Sequence, residues 1–208
     1  MITDIAKFNY LRNEFKLNKE LEENMLIEEE TEFIDAYKTY LELIYKSTDV
    51  APQMKEEAIL DCLVDMVDAY CDYMYVYYGT LLKYLGTGEV FDRTQKQTLM
   101  NTILMETLVR HGIKIYDAGK VPLTDKAMQF VIDANDNKPI KKTKGKVAKG
   151  KKWIDPKEEI KKLLEGRGFK ADYEEVLNNI KKKIEEATNP KVLDIDELPN
   201  GGDDENKS

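Results

Sequence analysis

Residues 60–85 carry apolar side chains in a broad stripe at helical spacing, and four aspartates follow one edge of that stripe. The apolar members recur three or four positions apart, as on a helix face that has to be buried: Leu60, Leu63, Val64, Val67, Tyr70, Cys71, Met74, Tyr75, Tyr78, Leu81, Leu82 and Leu85. At about 100° per residue, Asp61, Asp65, Asp68 and Asp72 fall within an arc of roughly 60°. Carboxylates at the border of a buried face lie in a crevice between helices, which is where a helical bundle builds a metal site.

A second acidic segment precedes this helix. Glu28 and Glu29 share a helix face with Glu32, and the apolar residues beside them again recur at helical spacing: Leu26, Phe33, Tyr37, Leu41 and Ile44. Like charges so arranged cost about 0.2–0.5 kcal/mol per pair in an isolated helix. Oxygen-only clusters suit Mg²⁺, and also Mn²⁺. The two segments therefore predict a divalent-cation site between two helices, with two solvated acidic faces as the alternative.

The rest of the chain also reads as helix, and no segment alternates with period two, so we expect an all-α protein without a significant sheet. Gly86 should end the aspartate helix. Asp92 resembles a helix N-cap, and Asp155 followed by Pro156 is a strong helix start. The expected helices span residues 3–16, 21–46, 55–85, 92–109, 124–133, 155–166 and 172–187.

Composition limits the possible functions. The chain has 208 residues and a formal net charge of -8, a balance that does not favour nucleic-acid binding. No stretch approaches the ~20 apolar residues of a membrane span, and the first four residues do not resemble a secretory signal. Cys62 and Cys71 lie about 13 Å apart along one expected helix, too far for a disulfide. We therefore expect a cytoplasmic protein that is not membrane-bound.

Changes in composition predict four regions. Residues 1–136 form the helical core, and residues 137–154 a lysine-rich loop. Residues 155–188 form a helical appendage, and residues 189–208 an acidic tail with nothing to bury. The aspartate helix carries more apolar surface than one four-helix protomer buries, so we expect a homodimer or a homotetramer.

Three ordered blocks of residues resemble one family. Residues 26–33 (Leu-Ile-Glu-Glu-Glu-Thr-Glu-Phe) are similar to the Glu-Glu-x-x-Glu segment of the MazG-like, all-α nucleoside triphosphate pyrophosphohydrolases. Residues 68–80 (Asp-Ala-Tyr-Cys-Asp-Tyr-Met-Tyr-Val-Tyr-Tyr-Gly-Thr) resemble the second acidic helix of the phage-type branch, often labelled phosphoribosyl-ATP pyrophosphohydrolase-like. Residues 134–138 (Ala-Asn-Asp-Asn-Lys) and 145–150 (Gly-Lys-Val-Ala-Lys-Gly) are similar to the family's Asn-x-x-Lys and following loop. The resemblance covers about residues 10–156.

The resemblance implies an all-α bundle and an enzyme that hydrolyses a nucleoside triphosphate, ribo or deoxy, to the monophosphate and pyrophosphate with Mg²⁺. Glu28 and Glu29 would be catalytic. The metal ligands would come from both acidic helices: Glu29, Glu32, Asp65, Asp68 and Asp72. The family's usual Glu-x-x-Asp is replaced here by Asp65-x-x-Asp68, and the register favours Asp68 and Asp72, then Asp65, with Asp61 last.

The lysine-rich loop has two interpretations, a solvated linker or a cationic lid over the triphosphate. In the second, the substrate-binding residues are Asn135, Lys138, Lys146 and Lys149.

Two other classes of protein use similar features. A di-iron bundle protein pairs each Glu with a His three residues later, but the only histidine, His111, follows none of these glutamates at that spacing. A non-catalytic helical interaction protein, whose acidic stripe and lysines mediate assembly, is the stronger alternative.

Overall fold

One long helix, α3 (Pro52–Leu85, 34 residues), forms the centre of the molecule in the computed structural model, and all the other helices that are described pack against it. At 1.5 Å per residue it is about 50 Å long. The other elements are α1 (Ile2–Leu11), α2 (Lys19–Tyr45), α4 (Thr94–Arg110), α5 (Leu123–Asp136), the paired strands β1 (Lys142–Thr143) and β2 (Lys146–Val147), and α6 (Lys157–Gly166).

The structure describes residues 1–11, 16–46, 52–138 and 153–171, together with positions 142, 143, 146, 147, 178, 181, 182 and 185. The prediction of an all-α protein is confirmed for these residues, in which the only sheet is the antiparallel pair of two-residue strands. No helix among them is long and apolar enough to span a bilayer.

Helices α2 and α3 pack antiparallel and supply most of the core. Asn18 caps α2, and its side-chain oxygen accepts a hydrogen bond from the Leu21 backbone N–H at 3.2 Å. Leu26 and Phe33 of α2 are completely or almost completely buried, as are Leu63, Met66 and Tyr73 of α3. The sequence predicted this pairing of stripes, and it brings the two acidic segments onto neighbouring helices.

Helix α1 packs on α3 around Gly79. A Cβ atom at this position would lie 3.4 Å from the Asn9 side chain and 3.7 Å from Ile5. Ile5 is fully buried at this contact. Both distances are ordinary van der Waals contacts, and α3 continues past Gly79 as regular helix to Leu85 and ends before Gly86.

Helix α6 belongs to the same core as the N-terminal helices. Ile160 and Leu164 are fully buried and pack in the cluster formed by α2 to α5. The residues after α6 continue this docking, because Lys114 N–H donates to the Arg167 carbonyl at 3.0 Å and Lys170 N–H to the His111 carbonyl at 2.9 Å. The division into regions 1–136, 137–154, 155–188 and 189–208 stays a prediction. The expected helix 172–187 and the tail fall almost wholly outside the described residues.

His111 joins three parts of the molecule at the end of α4. Its ring is fully buried. Nδ1 donates to the Lys170 carbonyl at 2.9 Å, so Nε2 is left to accept from the Tyr40 hydroxyl at 3.0 Å. Burial lowers the pKa of His111. The neutral imidazole is therefore a structural connector between α2, α4 and the segment after α6.

Candidate functional site

The aspartate stripe of α3 faces α6, and three of its members, Asp61, Asp65 and Asp68, form ion pairs with that helix. Lys157 Nζ lies 2.7 Å from Asp65 Oδ1, and Lys161 Nζ lies 2.8 Å from Asp61 Oδ1. The two lysines are four residues apart on α6, and the two aspartates are four residues apart on α3. The later lysine pairs with the earlier aspartate, so the two helices are antiparallel at this contact. The carboxylates of Asp61 and Asp65 are about half exposed. They dock α6 through surface ion pairs.

Asp68 occupies a different environment from these two. Only 14% of its side chain is exposed, and Lys157 Nζ is 3.8 Å from Oδ2. Its Oδ1 atom is buried, and no donor among the described residues reaches it. Burial and the neighbouring Asp72 carboxylate raise the pKa of Asp68 to about 7.

The surroundings of Asp68 fit a divalent cation. A buried carboxylate oxygen without a donor costs free energy unless a charge compensates it, and Asp72 adds a second carboxylate one helical turn away. Mg²⁺ needs only one or two protein carboxylates, because waters and substrate phosphates complete its coordination. Within the described ranges, no three His, Cys, Asp or Glu side chains are close enough to hold a metal by themselves. The described residues therefore do not form a complete metal site by themselves.

The glutamates of α2 are placed at the same height as Asp72 along the helix pair. Glu22 contacts Thr80 and Lys83. Because the helices are antiparallel, each step forward in α2 corresponds to one step back in α3, so Glu29 and Glu32 are level with roughly residues 71–75. Glu28 and Glu32 are exposed, and Glu29 is half-buried. The structure does not gather them with the aspartates into one metal-binding group among the described residues.

Glu30, the remaining glutamate of this run, contacts the start of α4. Lys96 Nζ donates to both of its carboxylate oxygens at 2.6 Å, and Arg93 Nη1 lies 3.8 Å from Oε2. Arg93 also pairs with Glu23, two turns earlier in α2. These contacts tie α2 to α4 and explain why Glu30 is only 18% exposed.

The expected substrate-binding residues begin at the end of α5. Asn135 is 5% exposed, and its side-chain amide donates to the Val131 carbonyl of its own helix at 3.0 Å. Lys138 is half-buried, and its backbone N–H donates to the Asn135 carbonyl at 3.0 Å. The Lys146 backbone belongs to β2, but its side chain, like all of Lys149, lies outside what the structure describes. Whether these four residues share a site stays a prediction.

A cavity of about 160 Å³ lies between α3, α4 and α5. Cys71, the residue between Tyr70 and Asp72, lines it together with Met74 and Met128, and Gln97 and Thr124 add polar groups. This space holds several waters or one ring-sized group. None of the four aspartates of the stripe lines this cavity.

Two features of the site were not predicted from the sequence. Lys157 reads in the sequence only as part of a helix start, although Lys157 and Lys161 repeat the spacing of Asp61 and Asp65. The buried pair of Glu22 and Lys83 gives no signal, since both residues fit equally well on a solvated helix face. The matched spacing is visible in the sequence, but the packing of α6 against α3 is not.

Comparison with protein-family models, with curated proteins and with solved structures found no match. The resemblance to the MazG-like enzymes therefore depends on the three sequence blocks alone.

Proposed function

We propose that this protein hydrolyses a nucleoside triphosphate, ribo or deoxy, to the monophosphate and pyrophosphate in a Mg²⁺-dependent reaction. The observation that carries the proposal is Asp68, a largely buried carboxylate with one oxygen that no donor among the described residues reaches and with Asp72 beside it. A perturbed carboxyl group in a crevice between helices is a candidate functional group. Asp68 lies in residues 68–80, which resemble the second acidic helix of the MazG-like enzymes, and this position supports a MazG-like assignment of the bundle.

The cation would be held by Asp65, Asp68 and Asp72 of α3, with Glu29 and Glu32 contributing from α2. When bound, Mg²⁺ supplies charge neutralisation of phosphate oxygens and activation of water. Glu28 and Glu29 would accept the proton of the attacking water, because they carry carboxylates on the face of α2 that also bears Glu32. In the overall reaction, one water is consumed and the bond between the α- and β-phosphates breaks.

The positively charged segment that follows α5 would hold the phosphate chain. Lys138, Lys146 and Lys149 supply point charges suited to phosphate oxygens, and Asn135 would support Lys138 at the end of α5. Its amide group is already fixed by the Val131 carbonyl. This orders the helix end from which the loop leaves.

A homodimer or homotetramer is part of the proposal. Ile27 is 46% exposed and Ile34 is 41% exposed. They lie seven residues apart and so share one face of α2, next to Glu28. An apolar face at this place would pair two protomers with the glutamates at the interface. A cytoplasmic location stays a prediction.

One observation favours the non-catalytic alternative. Asp61 and Asp65 already have cationic partners in α6, which is what an acidic stripe used only for helix packing would have. In that case the protein is a helical interaction or assembly module. The largely buried Asp68 argues against it, since packing by surface ion pairs does not require a buried carboxylate oxygen that its neighbours leave without a donor.

A panel of ribo- and deoxynucleoside triphosphates, assayed for pyrophosphate release with and without Mg²⁺, tests the proposal. We expect release from at least one substrate by the wild type, and its loss in Glu29→Gln, which removes a charge at nearly constant volume. Glu20→Gln is the matched control, because Glu20 is an exposed glutamate in the first turn of the same helix. Absence of pyrophosphate release from every substrate, or equal activity of Glu29→Gln and the wild type, would overturn the proposal and leave the interaction module.

A further inference from the structure

We propose that Lys157 is a built-in counter-cation of the acidic site, and that a divalent cation has to displace its ammonium group to bind Asp65 and Asp68. Helix α6 thus supplies an ammonium group that occupies the acidic site in the metal-free protein and leaves it when the cation binds. This inference rests on the proposed metal site, and it concerns a residue outside the region of family resemblance.

The position of the ammonium group carries the first step. Lys157 Nζ is 2.7 Å from Asp65 Oδ1 and 3.8 Å from Asp68 Oδ2, so one cation already bridges two of the candidate ligands. Two cations cannot occupy the same space between these carboxylates without strong repulsion. Binding of Mg²⁺ there and this position of Lys157 are therefore mutually exclusive.

The anchoring of α6 carries the second step. Ile160 and Leu164 are fully buried, and Lys161 holds Asp61 one turn beyond Lys157. The helix is thus fixed by contacts that do not involve Lys157. The Lys157 side chain is 46% exposed and lies in the first turn, so it can turn into solvent while the helix stays docked.

The consequence is competition at one site. If the ammonium group stabilises the metal-free state, its loss must strengthen metal binding by the same free energy. A mutation that removes only the charge of Lys157 therefore raises the affinity for Mg²⁺. The equivalent change at Lys161 does not, because Asp61 stands apart from Asp68.

Titration calorimetry with Mg²⁺ alone, without nucleotide, tests this inference on the full chain. We expect Lys157→Met to bind Mg²⁺ about fivefold or more tighter than the wild type, in the range usual for coupled sites. Lys157→Arg retains the positive charge and should stay close to the wild type. Lys161→Met is the matched control on the same helix and should not change the affinity.

The outcomes separate this inference from the proposed function. Equal Mg²⁺ affinity of Lys157→Met and the wild type would overturn the competition and leave the metal site intact. Equal tightening in Lys161→Met would also overturn it, because the cause would then be loosening of α6. Absence of Mg²⁺ binding in every variant would remove the metal site, and with it both the proposed function and this inference.

Discussion

Lys83 Nζ lies 2.5 Å from Glu22 Oε1, and both side chains are less than 10% exposed. The other carboxylate oxygen of Glu22 accepts a hydrogen bond from the Thr80 hydroxyl at 3.0 Å. This buried ion pair fixes the register in which the first half of α2 meets the last turns of α3. The relative height of Glu29, Glu32 and Asp72 follows from that register.

Glu22→Gln should lower the free energy of unfolding by about 3 kcal/mol, because it leaves the Lys83 charge buried without a counter-charge. Urea unfolding measures the loss. Glu20→Gln, at an exposed position in the first turn of α2, should cost no more than about 1 kcal/mol, since it loses only an interaction with the helix dipole. The double variant Glu22→Gln with Lys83→Met should recover part of the stability, since it removes the stranded charge. Equal stability of Glu22→Gln and the wild type would mean that the pair is not buried in solution.

Asp68→Asn should stabilise the metal-free protein above neutral pH and abolish stabilisation by Mg²⁺. The pKa of Asp68 is about 7 when folded and near 3.8 when unfolded. The folded state therefore loses stability as the pH rises from about 4 to 7, and Asn removes this loss. At about pH 8 we expect a gain of roughly 1–3 kcal/mol, which shrinks as the pH falls toward 4. A few millimolar Mg²⁺ should then raise the melting temperature of the wild type only. An equal Mg²⁺ response in the variant would exclude Asp68 as a ligand.

Asp72→Asn should reduce pyrophosphate release far more than Asp61→Asn. Asp61 is committed to Lys161 at 2.8 Å, whereas Asp72 acts electrostatically on Asp68. If Asp72 is a metal ligand, Asp72→Asn should lower the rate by roughly one hundredfold or more. Asp61→Asn, which changes only a packing residue, should lower it by less than about threefold. Initial rates at saturating Mg²⁺ give the comparison. The reverse order would show that the second motif is displaced by one or two helical turns.

Acid should destabilise the protein through His111. Burial lowers the folded pKa of this side chain below its ordinary value of 6.5, so the unfolded chain binds the proton more readily. The contribution of His111 to the free energy of unfolding should therefore be at its full value above about pH 6.5. It should fall as the pH drops through 6.5 toward the folded pKa. His111→Gln, neutral at every pH, should lose less stability than the wild type between about pH 7 and 5. Urea midpoints across this range provide the measurement, and parallel curves would assign the acid sensitivity to other groups.

Helix positions follow well from the sequence where apolar periodicity is long. The expected end of α3 at Gly86 is confirmed, since the helix ends at Leu85. The expected start at Asp92 is wrong: α4 begins at Thr94, because the Asp92 carboxylate accepts a hydrogen bond from the Thr94 N–H at 2.9 Å and forms a turn before the helix. Local sequence signals indicate that a helix begins nearby, but they do not identify the residue that adopts the N-cap geometry.

The site is only partly accessible to sequence reasoning. Spacing along one helix predicts that Asp61, Asp65, Asp68 and Asp72 share a face, and α6 does pack beside it. Spacing cannot predict which of them lose solvent, because that depends on a helix about ninety residues away in the chain, counting from Asp68 to Lys157. Asp65 is about half exposed and lies 2.7 Å from Lys157 Nζ, whereas Asp68 is largely buried and its Oδ1 has no donor among the described residues. This difference is therefore a tertiary property.

The docking of α6 on α3 also sets an order of events during translation. The ribosome makes α2 and α3 before residue 157 exists, so the helix pair can form while Lys157 and Lys161 are still missing. Through that interval the aspartate stripe meets only solvent and its dissolved cations. A newly made chain therefore passes through a state in which Asp61 and Asp65 do not yet have their lysine partners from α6.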